Sequence, residues 1–153
     1  MSRYCLAVAL TFLAGLTYAA DLKINATKDK QSPTGVYIPT DLEDCFKELK
    51  KMLPADLVEK MKSAPEKKMI KYHFGLGRWM RNNWGLWSQS RLREYFKKLG
   101  LAHPDDMSSV ILKSFWRHLN KKPLKVGEQV KYYQEYWKKI KAKQKKTAPK
   151  KSQ

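Results

Sequence analysis

The sequence predicts an all-α fold, a compact single domain of five or six short helices, and three observations support it. No run among the 153 residues sustains the two-residue alternation of a half-buried strand. Several runs instead repeat apolar residues at steps of three and four, with helix start signals ahead of them. Pro54, Gly85, Gly100 and Pro123 fall between these runs, where chain breakers belong.

Residues 1–19 read as an export signal. Arg3 supplies the positive start, Cys5 to Leu16 the apolar stretch, and Thr17-Tyr18-Ala19 a small-x-small cleavage site. The apolar stretch is shorter than the ~20 residues of a comfortable membrane span. Residues 20–36 form a polar linker containing Asn25-Ala26-Thr27, a glycosylation acceptor if the host is eukaryotic. The helical domain is expected over residues 37–143, and residues 144–153 as a disordered lysine-rich tail.

Within the domain, Thr40-Asp41-Leu42-Glu43 reads as a capping box opening a helix whose stripe is Leu42, Phe46, Leu49 and Leu53. Pro54 interrupts, and Ala55 to Lys62 can form a second, shorter helix. Ser63-Ala64-Pro65-Glu66 is a second box with proline in the first turn, where its missing N–H is not needed. At 100° per residue, the helix that follows gathers Met69, Ile70, His73, Leu76, Gly77, Met80 and Trp84 on one face. Lys67, Lys71, Arg78 and Asn82 fall opposite, Gly77 allows close approach of a neighbour, and Gly85 is a natural stop.

Ser88 or Ser90 starts the next helix, with Leu92, Tyr95, Phe96 and Leu99 facing inward and Gly100 ending it. His103-Pro104-Asp105-Asp106-Met107-Ser108 opens another, its two acids suited to the positive helix end. Met107, Val110, Ile111, Ser114, Phe115, His118 and Leu119 give that helix its face, and Asn120 is a plausible terminator. Beyond Pro123, Val126 to Lys141 carries Val130, Tyr133, Tyr136, Trp137 and Ile140 at helical steps.

Cysteine usage and charge bound what this domain can do. Removal of the signal leaves Cys45 alone, so no internal disulfide can form, and its apolar neighbours predict a buried, inert thiol. The formal charge is +18; Arg3 accounts for one unit and Lys138 to Gln153 for eight, leaving about +9 on residues 21–137. An exported chain this basic favours anionic partners: an envelope polymer, a lipid headgroup, nucleic acid or an acidic protein. The tail lysines carry no interleaved aromatics or arginines, so the attraction is expected to be non-specific and salt-sensitive.

The most distinctive stretch is His73 to Trp87, with three tryptophans, two arginines, two asparagines and three glycines. Together with Ser90, Leu92 and Phe96, then His103 to Ser108 with Ile111-Leu112, and an opening Ile38-Pro39-Thr40 with Leu42 and Leu49, it resembles a bacterial family. That family is domain-of-unknown-function family 6794, and the resemblance covers about residues 37–119. It implies a compact domain of bacterial, often exported, proteins and carries no activity, cofactor or residue role.

The residues that could bind are His73, Arg78, Arg81, Asn82, Trp87, Asp105 and Asp106. Arg81 flanks the apolar face and needs a partner, which Asp105 or Asp106 could supply as a bidentate pair. An enzyme could use a cleft around His73, Arg81 and Asp105, but no nucleophile elbow, phosphate loop or recognisable pair of catalytic carboxylates is present. No two histidines are spaced i, i+4 and no cysteines are paired, so neither a metal set nor a cofactor motif is read. An exported binding or interaction module is therefore the expected function, with an enzyme or an inhibitor or immunity-type protein as alternatives.

Overall fold

The computed structural model describes Ser32 and residues 35–147. The export signal, most of the linker with its Asn25 acceptor, and the last six residues of the tail lie outside the described residues. Six α-helices follow in order: α1 (Leu42–Met52), α2 (Ala55–Ser63), α3 (Arg78–Asn83), α4 (Arg91–Lys98), α5 (Pro104–Leu119) and α6 (Val126–Thr147). Between α2 and α3 the chain winds as a 3₁₀ segment, Glu66–Tyr72, and then a π turn, His73–Gly77.

Helix α5 is the axis of the domain. Ten of its sixteen residues are buried, from Pro104 to Trp116 around most of its circumference, and every other helical element except α6's far end packs near it. A single inward stripe from Met107 to Leu119 is therefore too narrow a description: Leu112 and Trp116 are buried too, whereas His118 and Leu119 are only half-buried. Phe46, Leu49, Met80, Trp84, Leu92, Phe96 and Phe115 fill the surrounding core. Cys45 is fully buried there, and burial pushes its thiol well above the ordinary value.

Local hydrogen bonds fix how the chain enters and leaves each helix. The cap of α1 is one residue later than expected: Asp41 Oδ1 accepts the Asp44 N–H at 2.9 Å, and Asp44 Oδ2 accepts the Thr40 N–H at 3.0 Å. Aspartate caps as well as threonine does, and the Thr40 hydroxyl is engaged by both carboxylates. The second expected box does not form. Ser63 stays in α2 and bonds back to the Glu59 carbonyl, while Glu66 pairs with Arg117 at 2.8 Å in a charge-assisted bond. Trp116 Nε1 to the Ala64 carbonyl and Asn120 to the Lys62 carbonyl bind the same junction to α5.

The 3₁₀ segment changes which residues face inward. Three residues per turn align Glu66, Met69 and Tyr72, which are the buried and half-buried ones. Ile70, expected inside at 100° per residue, is 65% exposed as a result. Both glycine stops are left-handed turns of Schellman type. At Gly85 (φ +65°) the Leu86 N–H returns to the Arg81 carbonyl, and at Gly100 (φ +92°) the Leu101 N–H returns to the Phe96 carbonyl. In each case the residue after the glycine is buried: Leu86 and Leu101.

The end of α5 uses the same turn with the wrong residue. Asn120 caps the helix, but the left-handed position is Lys121 (φ 53°), with the Lys122 N–H bonded to the Arg117 carbonyl. Helix α6 then runs to Thr147, past Lys143, because Lys, Gln and Ala are good helix formers and no breaker precedes Pro149. A side chain with Cβ in the left-handed region costs about 1–2 kcal/mol. Lys121→Gly should therefore raise the unfolding free energy by about 1 kcal/mol, read as a higher urea midpoint at unchanged slope; an unchanged or lower midpoint would show the turn to be unstrained.

Candidate functional site

Two sites lie on either side of α6, and Tyr133 touches both. The first is built on Arg81, which the α3 backbone points at the first turns of α5. Its side chain is 6% exposed, with Nη1 donating to Ser108 Oγ at 2.8 Å and reaching the His73 carbonyl at 3.4 Å. Nε lies 2.9 Å from Asp105 Oδ1, but its N–H is not directed at that oxygen. The pair is thus ionic and one-point, rather than the bidentate fork expected. Gly77 makes room for it: a Cβ there would meet Arg81 Nη1 at 3.2 Å. Gly77 thus admits the guanidinium and also the close approach of α5, whose Ser108 Oγ would lie 3.6 Å from that Cβ.

Asp105 is the hub of this cluster. Besides Arg81 it faces His73 Nε2 at 3.6 Å and His103 Nδ1 at 3.4 Å, and it remains partly exposed. His103 Nδ1 also accepts the Asp105 N–H at 3.3 Å, which makes His103 the cap of α5. On its other side, His73 Nδ1 lies 3.2 Å from Ser109 Oγ, and Tyr133 lines the same cavity as both. His73 and Ser109 open onto a cavity of about 220 Å³ flanked by Lys67 and Lys113.

The order Ser109, His73, Asp105 is that of a nucleophile, a base and an orienting acid. Ser109, however, sits inside α5, where the adjacent backbone N–H groups are spent on helical bonds rather than offered to an oxyanion. Serine 109 was not legible from the sequence as a partner of His73, since the contact spans thirty-six residues and depends on the π turn.

The second site is a groove of about 730 Å³ between α6 and the turn that joins α4 to α5. Asp106 lies in its floor. It does not pair with Arg81; its Oδ2 accepts the Trp137 indole N–H at 2.7 Å, which pins α6 to the start of α5. Burial raises the Asp106 carboxyl above the usual range. Trp137 packs on His103 at 5.2 Å between ring centroids, and Trp87 meets the other side of His103 at 5.9 Å. Gln134 donates to the Gly100 carbonyl, and Lys138, Lys141 and Lys145 complete the α6 wall.

Of the residues singled out in the sequence, His73, Arg81 and Asp105 come together and Asp106 stands apart in the groove. Arg78 and Asn82 are exposed away from both. Trp87 is 53% exposed at the groove's edge, not part of the core. Among the described residues no three His, Cys, Asp or Glu side chains group as metal ligands, and no helix is long and apolar enough to cross a membrane.

Residues 38–119 match a family of proteins described as a domain of unknown function, DUF6794. The chain belongs to this family. The DUF6794 match contains α1 to α5, hence Arg81 with all its partners, and ends before α6. No curated protein and no solved structure matches the chain.

Two histidines give this DUF6794 domain a pH dependence. His73 is held below its ordinary value first by burial and then by the Arg81 charge; His118 by burial and then by Lys50. The folded state thus favours neutral rings, so their stability contribution is complete above ~6.5 and is lost as pH falls below it. Melting temperature should fall between about pH 7 and pH 5, and His73→Gln combined with His118→Gln should flatten that fall; an equally steep fall in the double variant would rule these rings out as its source.

Proposed function

We propose that this DUF6794 protein acts after export as a binding module for anionic partners, through the lysine-bearing groove on α6. The observation that carries this reading is the coincidence of Lys138, Lys141 and Lys145 on one helix face with an aromatic-floored groove. Spacings of three and four place the three ammonium groups side by side. No acid follows Glu135 in the sequence, so positive charge dominates the α6 wall beyond that turn. The candidate partners are an envelope polymer, a lipid headgroup, nucleic acid or an acidic protein, all attracted by the same charge.

The export signal read from residues 1–19 supports action outside the cytoplasm, where such polymers and headgroups are met. The enzyme alternative loses its main support because Arg81 is buried and its charge is already paired within the fold. A guanidinium spent on Ser108 and Asp105 is not free to hold a substrate.

The reading is tested by retention on immobilised heparin over a salt gradient. Lys138→Gln, Lys141→Gln and Lys145→Gln together should bring elution to markedly lower salt, since each lost contact removes released counterions. Elution at the same salt would move the binding face elsewhere on the protein.

A further inference from the structure

The groove has more apolar surface than a purely electrostatic site needs. Leu101, Ala102, Tyr133, Trp137 and Ala142 contribute to its lining, and its volume of about 730 Å³ is that of a small-molecule site. A bare phosphate or a stiff polyanion would leave this floor in contact with water.

Charge along the groove is graded. At one end lies the carboxylate of Asp106, with Oδ2 already taken by the Trp137 indole. At the other lie Lys141 and Lys145, with Lys138 between. Trp137 and Lys145 are eight residues apart on one helix, about 12 Å at 1.5 Å per residue. An anionic group is therefore repelled from the Asp106 end and attracted to the Lys145 end, while the intervening wall suits a hydrocarbon chain.

We infer that the groove binds a single-chain amphiphile with an acidic headgroup, its chain along Tyr133, Trp137 and Leu101 and its head on Lys141 and Lys145. This deepens the anion-binding reading and rests on it, naming the class of anion that the groove selects. The chain end lies toward Asp106 and His103, and the head projects to solvent at the last turns of α6. Lysine stems add to the apolar wall while their ammonium groups stay wet.

The test is calorimetric titration of the full protein with laurate below its micellar range, beside decanoate, inorganic phosphate and dodecyl maltoside. Laurate should bind saturably, and decanoate, two methylenes shorter, about tenfold more weakly. Phosphate, which lacks the chain, and the maltoside, which lacks the charge, should each bind at least tenfold more weakly than laurate. Ala142→Trp, a substitution on an exposed helix position in the groove wall, should obstruct the groove and weaken laurate at least tenfold. Equal affinity for phosphate and laurate, equal affinity for the maltoside and laurate, no dependence on chain length, or no effect of Ala142→Trp would each overturn the amphiphile assignment. Loss of heparin retention in the triple lysine variant with no laurate binding in the parent would leave the anion-binding reading standing and remove this one.

Discussion

The buried charge of Arg81 is the constraint on which the rest of the structure depends. A guanidinium removed from water must find acceptors or destabilise the fold by several kcal/mol. Its contacts come from two separated segments: the His73 carbonyl from the π turn and Ser108 Oγ from α5 accept from Nη1, while the Asp105 carboxylate lies 2.9 Å from Nε as an ion pair. Satisfying it therefore fixes where the central helix begins relative to the broken helix before α3. It also explains the backbone there. The π turn moves the His73 carbonyl and Gly77 to where the side chain passes, and a Cβ at Gly77 would press on Nη1 at 3.2 Å.

Once the start of α5 is placed, the groove follows from it. His103 caps α5 and presents its ring between Trp87 and Trp137, and Asp106 is turned to accept the Trp137 indole. Gln129 and Gln134 add bonds to Ser114 and the Gly100 carbonyl, so the first half of α6 is docked by polar contacts. Buried Asp106 and the indole satisfy each other, which is why a carboxyl can lie there beside an apolar wall. The DUF6794 match covers the Arg81 knot and stops before the lysine wall. The two sites thus have different standing: one belongs to the family's fold, the other needs a helix outside the matched residues.

Much of this was legible in the sequence where local physics decides. The helix count, the Gly85 and Gly100 stops, the Ser90 and His103 starts and the burial of Cys45 each rest on neighbours within a few residues. The attraction between Arg81 and Asp105 was legible too, because an arginine at the edge of an apolar face requires a partner. What escaped depended on backbone period or on distant competition. A wheel drawn at 100° per residue misplaced Ile70, since the chain there turns in threes. Glu66 left its expected cap for Arg117, fifty-one residues away.

Arg81 and Asp105 act together to join the broken helix to α5, and a double-mutant cycle measures that coupling directly. Arg81→Met, Asp105→Asn and the double variant would be compared with the parent by chemical denaturation at neutral pH. The expected coupling energy is about 0.5–3 kcal/mol, the range of residues in one ionic network. A coupling near zero, with the two single effects simply adding, would contradict it.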